Sequence, residues 1–543
     1  MGRKLLIIGI DGGSWSVLKP AMEEGYMPYL RSMVEQGTSG ILESTIPPIT
    51  PAAWSSFQTG MNPGKNGVFG FQVWDRQSKQ SYLVNSRNLQ RTLWEIASEA
   101  GRRVGVINVP MTYPPKSING YIIGGLMTPS LKSDFTYPSE FKYELLNQIP
   151  DYHIFALGDF GGAEGNVKGF VKYLRRVIKN RAEAALYLLG KDNFDLFMCH
   201  FQASDVLQHI LWGYLDKEHP FYALKIHQYI LEHFYAYLDV KIKEIRQGFE
   251  KFSGSNFLTL IISDHGFQSH RKAFNLGNWL YEEGFTKLNA QPRNEPFIIH
   301  LLKKIDFLRL RNKIVSSSIR QRTLAMAKQI TRKGDVFHWE GSRAFSYGDN
   351  EGFIYLLEEN EADRIKTILE LTQKLKKIID PETNRPVVKE IYLKEDIWHG
   401  DKMNLMPDLF LEPDDRYSFK AKYLYHKGLF YDVIKEKDVQ IGKHHKDGIL
   451  VATGEGVKRA CVTKADLVDL APTILYYLDI GIPNEMDGKV IKEIFKDDFV
   501  KKNAMRYQAI KNTDIYEKEA PSDVYTEDDA QKIKQNLKDL GYL

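Results

Sequence analysis

The stretch LLIIGIDGG, residues 5–13, contains an apolar run of six residues that ends at an aspartate. Runs of this length are typical of strands that are buried on both faces of a parallel sheet. A secretory signal would need a longer apolar region followed by a small-residue cleavage site, and neither is found here. The stretch therefore predicts the first buried strand of a parallel sheet.

Similar apolar runs recur along the chain, separated by amphipathic segments such as PYLRSMVEQG (28–37) and the long stretch at 167–190. This alternation predicts an α/β fold with a mostly parallel central sheet and helices on both faces. The other predicted strands are RVGVINV (103–109), YIIGG (121–125), DLFMCHF (195–201), FLTLIIS (257–263), DLFLEP (408–413) and GILVATG (448–454).

The composition, 43% hydrophobic and 26% charged, is that of an ordinary globular protein. A net charge of +4 gives no reason to expect a nucleic-acid partner. The two cysteines, Cys199 and Cys461, exclude a disulfide scaffold and a thiolate zinc site of the CxxC type, and they fit a reducing compartment. No run approaches the ~20 apolar residues of a transmembrane helix. We therefore expect a cytoplasmic protein.

One region, residues 287–333, has no strand signal and carries twelve Lys or Arg against two acids. We interpret residues 286–333 as a basic helical cap inserted into one α/β core formed by 1–285 and 334–500. The cap is either a solvated face, a clamp for an anionic substrate or a peripheral contact with an anionic membrane. Residues 501–543 predict a linker and a C-terminal helix, which docks through Leu537, Leu540 and Tyr542. The sequence gives no oligomeric state.

Candidate metal ligands follow two of the predicted strands directly. Asp11 follows LLIIGI, and the pair Asp264 and His265 follows FLTLIIS. In open α/β sheets, ligands bind at the carboxyl ends of the strands. An aspartate at a strand end can instead cap the next helix, and for Asp11 alone this alternative has equal weight. The sequence DHG after a fully apolar strand is the stronger signal for a ligand.

Two further pairs extend this set of ligands. Asp205 and His209 are four residues apart and share one face of a predicted helix, although for this pair taken alone a surface Asp beside a packed His is the more common explanation. His444 and His445 precede the strand GILVATG, in a polar loop or as ligands. Together the residues offer only oxygen and nitrogen, which suits Zn²⁺ or Mn²⁺. They are too many for one ion, and two ions are the usual arrangement in phosphate-ester chemistry.

The stretch TIPPITPAAWSSFQTG, residues 45–60, offers a candidate nucleophile, Thr50. Pro51 disfavours helix at Thr50 and fits the first position of the helix that follows. Thr50 is thus expected at a helix N-terminus, where free amides and the helix dipole favour anions. Metal coordination can activate a threonine hydroxyl for attack on phosphorus.

The segments IGIDGG, PPITPAAWSSFQTGMNPGKNGV, ASDVLQH, IISDHGF and GKHHKDGILVATG, in this order, resemble the type I phosphodiesterase/nucleotide pyrophosphatase branch of the alkaline phosphatase superfamily. A closing segment extends the resemblance to about residue 491. The resemblance implies a phosphodiesterase with two divalent ions, Zn²⁺ or alternatively Mn²⁺, in which Thr50 attacks phosphorus and forms a phosphothreonine intermediate. The implied ligands are Asp205, His209 and His444 for one ion, and Asp11, Asp264, His265 and the Thr50 oxygen for the other.

The resemblance also favours His444 over His445, because family members commonly place this ligand four residues before the glycine of the next strand. Nucleotide pyrophosphatases have an Asn that helps to bind the phosphoryl oxygen, and the matching position here is close to Phe71. Lys65 or Asn66 could replace this donor. The arginine of alkaline phosphatases and the sulfatase motif are also missing.

The substrate class therefore stays open, as a small-molecule or a lipid- or glycan-linked phosphate ester. The alternatives in function are a phosphomutase or phosphomonoesterase on the same scaffold, and a non-catalytic homologue that binds an anion or a membrane.

Overall fold

The computed structural model describes residues 2–156, 166–289, 337–347, 352–423, 428–433, 440–509, 524–540 and 542. The predicted basic cap lies outside these ranges apart from residues 286–289, and most of the predicted linker lies outside them as well. The domain boundaries given above therefore stay a prediction. Among the described helices, none has both the length and the apolar character needed to cross a membrane.

Seven of the described strands correspond to the seven apolar runs predicted from the sequence. In chain order the described strands are β1 (Lys4–Ile10), β2 (Thr38–Glu43), β3 (Gln72–Asp75), β4 (Gln80–Leu83), β5 (Val104–Ile107), β6 (Gly120–Ile123), β7 (Thr136–Tyr137), β8 (Leu196–Phe201), β9 (Phe257–Ile262), β10 (Gly266–Ser269), β11 (Lys272–Asn275), β12 (Ala344–Phe345), β13 (Phe353–Leu356), β14 (Ile379–Asp380), β15 (Arg385–Pro386), β16 (Val388–Leu393), β17 (Leu409–Pro413), β18 (Tyr417–Lys420), β19 (Phe430–Asp432), β20 (Gly442–His445), β21 (Asp447–Gly454), β22 (Ala460–Asp466), β23 (Ile482–Pro483) and β24 (Tyr507–Gln508).

The described α-helices lie between these strands. They are α1 (Trp15–Glu23), α2 (Pro28–Gln36), α3 (Thr50–Thr59), α4 (Pro63–Asn66), α5 (Leu93–Glu99), α6 (Phe141–Gln148), α7 (Val167–Lys191), α8 (Ala203–Leu215), α9 (Leu224–Ile230), α10 (Ala236–Ser253), α11 (Leu276–Glu282), α12 (Glu361–Leu375), α13 (Lys394–Ile397), α14 (Leu470–Tyr477), α15 (Asp497–Lys502) and α16 (Glu527–Asp539).

The central sheet has nine strands in the described residues, in the order β22-β2-β21-β9-β1-β8-β5-β6-β7. Strands β9, β1, β8, β5 and β6 are parallel to one another. Strand β21 runs antiparallel to β9 and β2, β22 is parallel to β2, and β7 is antiparallel to β6. Seven of the nine strands thus share one direction. This confirms the predicted mostly parallel sheet.

Helices cover both faces of this sheet, as predicted. Side chains of β1 alternate between two hydrophobic clusters. Leu6 and Ile8 pack in the cluster that contains residues of α1, α2, α7, α8 and α10. Leu5 and Ile7 pack in the cluster that contains residues of α3, α5 and α14. Strand β1 is therefore buried from both sides, which explains its continuous apolar sequence.

A second, smaller sheet in the order β12-β13-β17-β16 lies apart from the central one. Its residues share a third hydrophobic cluster with α11 and α12. Strand β17 is the predicted strand DLFLEP, so that strand exists but does not belong to the central sheet. An apolar run indicates burial, and it does not indicate which sheet a strand joins.

Candidate metal centre

Asp11 and Asp264 lie side by side because β1 and β9 are parallel and in register. Gly9 faces Ile262, and each aspartate follows two residues later, just beyond the end of its strand. The main chain turns sharply after Asp11, at Gly12, whose φ is 65°. A Cβ at this position would come within 2.6 Å of the Phe267 ring, so only glycine fits. The Gly12 N–H donates to Asp264 Oδ1 at 3.1 Å, which joins the two turns.

His265 and Thr50 lie beside the two aspartates. These four residues, Asp11, Thr50, Asp264 and His265, form what we call the second group. His265 Nε2 lies 3.2 Å from Asp264 Oδ2 and 3.8 Å from Asp11 Oδ1. Thr50 Oγ1 lies 3.4 Å from His265 Nε2. Helix α3 begins at Thr50, with Ile49 as its N-cap, one residue before the predicted start at Pro51. Thr50 is buried, and it remains at the helix N-terminus as predicted.

The first group is formed by Asp205 and His209 of α8 together with His444 of β20. His444 Nε2 lies 3.2 Å from Asp205 Oδ1 and 2.9 Å from His209 Nε2, and His209 Nε2 lies 3.4 Å from Asp205 Oδ1. Strand β20 pairs with β10, where His444 faces Phe267. His445, the alternative ligand, instead accepts a hydrogen bond from the Asp447 N–H through its Nδ1 at 3.2 Å.

The three histidines of the two groups make the same kind of hydrogen bond. Each places Nδ1 on a main-chain carbonyl, so Nδ1 carries the proton and Nε2 keeps a lone pair. These bonds are His209 to Gly442 O (3.0 Å), His265 to Gly266 O (3.1 Å) and His444 to Pro48 O (2.9 Å). The facing lone pairs of His209 and His444 repel each other unless a cation lies between them. Metal-binding histidines are usually oriented in this way.

Each of the three carboxylates has one oxygen with a hydrogen bond and one without. The oxygens without a partner in the described residues are Asp11 Oδ1, Asp205 Oδ1 and Asp264 Oδ2. All three side chains are fully buried, where an unpaired charged oxygen is costly. Within each group, the candidate ligand atoms lie within 4.8 Å of one another. Both groups therefore fit a divalent cation with nitrogen and oxygen ligands.

The pKa shifts of the carboxyl groups differ between the two groups. Burial raises the pKa of Asp11 and Asp264 well above the usual value, and nearby carboxylates raise it further. Burial also opposes the charge of Asp205, but positive charge at the positions of His209 and His444 lowers its pKa well below the usual value. Burial lowers the pKa of His265 and His444. His265 and His444 are therefore neutral near pH 7, as metal ligands must be.

The sequence patterns did not identify three residues that contact these aspartates. His200 Nε2 lies 2.8 Å from Asp11 Oδ2, and the Trp54 indole N–H donates to the same oxygen at 3.2 Å. The Tyr542 phenol donates to Asp205 Oδ2. Burial lowers the pKa of His200 to about 3, so this histidine is neutral. For His200, the sequence did contain one signal of a functional role, a polar side chain inside the apolar strand DLFMCHF.

A cavity of about 150 Å³ opens beside the first group. Phe71, at the position where the resemblance implies an Asn, forms part of its wall and packs 4.8 Å from the Tyr542 ring. Other lining residues are Pro48, Tyr392, Phe410, Lys443 and Tyr542.

The two suggested replacements for the Asn are engaged elsewhere. Lys65 pairs with Asp487 and donates to the Glu485 carbonyl at 2.9 Å. The Asn66 amide donates to the Met61 carbonyl at 3.1 Å. Neither side chain is bonded to a residue of the two groups in the described part of the chain. Both instead hold the region around α4 in place.

A family model described as type I phosphodiesterase/nucleotide pyrophosphatase matches residues 5–447, which include all members of both groups. The chain belongs to this family. Type I phosphodiesterases and nucleotide pyrophosphatases hydrolyse phosphoester bonds and generally depend on metal ions. The protein is accordingly an enzyme, a hydrolase that acts on phosphoric ester bonds.

Solved structures of two ectonucleotide pyrophosphatase/phosphodiesterases have a similar fold. Human ectonucleotide pyrophosphatase/phosphodiesterase 5 matches 91% of this chain and 100% of its own, with 13% identity and a TM-score of 0.51. The murine protein of the same name, as an inactive threonine-to-alanine variant in complex with AMP, matches the same shares with 13% identity and a TM-score of 0.52. At this identity the similarity shows the fold alone.

Proposed function

We propose that the protein is a divalent-metal-dependent phosphodiesterase of the nucleotide pyrophosphatase type that works through a phosphothreonine intermediate on Thr50. The observation that carries the proposal is the position of Thr50 Oγ1, at the start of α3 and 3.4 Å from His265 Nε2, beside two groups that fit cations. The proposed ligands are Asp205, His209 and His444 for one ion, and Asp11, Asp264, His265 and Thr50 for the other. Zn²⁺ is the expected metal, with Mn²⁺ as the alternative.

When bound, the ions would neutralise charge on the phosphoryl oxygens and lower the pKa of the attacking hydroxyl. The protein itself holds the Thr50 hydroxyl in position and provides an electrostatic field that favours negative charge there. Thr50 is held in the first turn of α3, where the helix dipole favours negative charge. Its burial keeps bulk water away from the hydroxyl.

The reaction would take place in two displacements at phosphorus. In the first, Thr50 Oγ1 forms a bond to phosphorus, and the bond from phosphorus to the leaving oxygen breaks. Thr50 gives up its hydroxyl proton, and the leaving oxygen takes up a proton, so the number of protons is unchanged. In the second, a water oxygen bonds to phosphorus, the bond between phosphorus and Thr50 Oγ1 breaks, and Thr50 regains its proton. One water is consumed for each ester cleaved.

The proposed substrate is a phosphodiester or pyrophosphate of a small molecule. A nucleotide is the favoured example, because the similar murine protein is described in complex with AMP. The cavity beside the first group, with Phe71, Tyr392 and Phe410 in its wall, offers an apolar surface for the organic part. A lipid- or glycan-linked ester would undergo the same chemistry.

The variant Thr50→Ala tests the nucleophile. We expect its turnover of bis-p-nitrophenyl phosphate to fall by about a thousandfold or more, while its metal content stays near two ions per chain. Thr59→Ala is the matched control, because Thr59 ends the same helix and its hydroxyl donates only within it, to the Ser55 carbonyl. Undiminished turnover in Thr50→Ala would show that Thr50 is not the nucleophile.

A substrate panel tests the reaction class. Purified protein would be analysed for metals and assayed with phosphomonoesters, phosphodiesters and nucleotide sugars. The proposal expects cleavage of diesters or pyrophosphates in preference to monoesters. Phosphoryl transfer between two carbons of one sugar phosphate, without release of phosphate, would replace it with the phosphomutase alternative.

A further inference from the structure

The C-terminal segment, described at residues 524–540 and 542, contains α16 and packs on the catalytic core, although it lies outside the region that matches the family model. Ile533, Leu537 and Leu540 are buried in the larger hydrophobic cluster. At the start of the segment, the Tyr525 phenol donates to the Met127 carbonyl at 3.0 Å. Hydrogen bonds and apolar packing therefore hold the segment along its length.

Tyr542 carries this segment into the first group. The centroid of its ring lies 4.8 Å from the centroid of the Phe71 ring and 5.4 Å from that of the His209 ring. Its N–H donates to the Leu537 carbonyl at 2.8 Å, which fixes its main chain to the end of α16. Its phenol donates to Asp205 Oδ2.

Because of this hydrogen bond, the two carboxylate oxygens of Asp205 have different roles. Oδ2 accepts from Tyr542, and Oδ1 faces the Nε2 atoms of His444 at 3.2 Å and His209 at 3.4 Å. A carboxylate rotates easily about its last bond, so one fixed oxygen sets the direction of the other. Hydrogen-bond partners of this kind typically change metal affinity about 10- to 100-fold.

A second contact joins the segment to another residue of the first group. The Gln440 amide donates to the Leu540 carbonyl at 2.7 Å. The next residue, Ile441, donates its N–H to the His209 carbonyl at 2.9 Å, and the Gly442 carbonyl accepts from His209 Nδ1. The segment therefore supports His209 through the main chain, in addition to Asp205 through Tyr542.

We propose that the C-terminal segment orients ligands of the metal centre, with Tyr542 as a positioning residue for Asp205. Docking of α16 and cation binding by the first group then stabilise each other, since linkage between two equilibria is reciprocal. The inference rests on the proposed function insofar as a cation occupies the first group. It adds a residue and a helix from beyond the family match.

The variant Tyr542→Phe tests the positioning role, because it keeps the ring and removes only the hydroxyl. In competition with a chromophoric chelator, we expect one of two Zn²⁺ ions to bind about 10- to 100-fold more weakly, and the other to keep its affinity. Tyr525→Phe is the matched control, since it removes another phenol of the same segment, one that donates to the Val84 and Met127 carbonyls of the core. Equal Zn²⁺ affinities in Tyr542→Phe and the unaltered protein would overturn the proposal.

Hydrogen exchange of residues 527–539 tests the linkage without any measurement of catalysis. Zn²⁺ should slow exchange in α16 of the unaltered protein and of Tyr525→Phe, and should slow it much less in Tyr542→Phe. Exchange in α16 that is the same with Zn²⁺ and with chelator would overturn the linkage and leave the role of Thr50 untouched. A full-length protein that binds no divalent cation would overturn both this proposal and the proposed function.

Discussion

At the scale of single residues, Asp11 shows how the centre keeps a buried carboxylate available to a cation. Its Oδ2 receives hydrogen bonds from His200 and Trp54, and its Oδ1 receives none in the described residues. Burial and the neighbouring Asp264 raise the pKa of Asp11, so the carboxylate depends on these two donors and on a cation to stay charged. The two donors also fix the direction of Oδ1.

Removal of the hydrogen bond from His200 should therefore weaken cation binding by the second group. We expect His200→Leu to bind one Zn²⁺ ion about 10- to 100-fold more weakly and to lose kcat/KM by a similar factor. His200→Gln, which keeps an N–H donor, should recover part of both losses. Chelator competition and initial rates measure the two effects.

His399→Gln serves as the control for His200, because His399 is exposed and pairs with Asp487 outside both groups. Unchanged Zn²⁺ affinity in His200→Leu would show that Trp54 alone suffices to orient Asp11.

The sequence could predict most of the candidate ligands because they follow a strand end or have helical spacing, and the family resemblance selected His444. It could not identify His200, Trp54 or the role of Tyr542, because their contacts depend on distances across the sheet and on where a distant segment docks. The suggestion of Lys65 or Asn66 as a donor failed for the same reason. Their positions in the sequence are close to Thr50, yet their side chains bind elsewhere.

At the scale of elements, the ribbon formed by β10 and β20 joins the two groups. It brings the rings of His265 and His444 into stacked contact, with centroids 3.6 Å apart. The sequence left the stretch GKHH open as a polar loop, whereas the structure makes it a strand. Pairing with β10 decided this, and a four-residue polar strand has no apolar alternation from which it could be predicted.

The small elements around β11 depend on one buried carboxylate, Asp380. Burial opposes its charge, but hydrogen bonds from Lys272 and Tyr417 outweigh this and lower the pKa of Asp380 to about 2. Asp380→Asn should therefore reduce the free energy of unfolding by about 2 kcal/mol at pH 7. Since the carboxyl pKa is about 3.9 in an unfolded chain, the difference should be constant above pH 5 and shrink as the pH falls from about 4 toward 2.

Urea unfolding at several pH values between 7 and 3 measures this difference. Glu382→Gln is the matched control, because Glu382 contacts the same lysine from an exposed position and should contribute less than about 1 kcal/mol. A difference for Asp380→Asn that stays constant down to pH 3 would contradict the assignment.

At the scale of the whole molecule, the proposed ligands come from residues 11 to 444 and meet at one edge of the sheet. The sequence predicted the fold class and six of the nine described strands of the central sheet, because burial on both faces produces continuous apolar runs. It missed β2, β7 and β22. It did not predict the strand order, the antiparallel direction of β21 or the separate sheet that contains β17. These depend on pairing between distant strands, on which a local apolar pattern carries no information.

A cation that joins such distant segments should stabilise the entire fold. A ligand that binds only the folded state contributes about 2.7 kcal/mol per site at 100 times its Kd. We therefore expect the Tm of chelator-treated protein to rise steadily with added Zn²⁺, as measured by scanning fluorimetry. The doubly substituted Asp205→Asn, Asp264→Asn protein should show little of this rise, and an equal rise in it would place the stabilising ions elsewhere.

The central place of β1 has a consequence for biosynthesis. Its two neighbours in the sheet, β8 and β9, begin only at residues 196 and 257. At a translation rate of about 5–20 residues per second, β1 leaves the ribosome about 10 to 50 s before the strands that will flank it. Throughout that interval an apolar strand has two unpaired edges, which other nascent chains can also pair with. The hazard of aggregation for this enzyme is therefore concentrated in its synthesis, when a chaperone that covers β1 has the most effect.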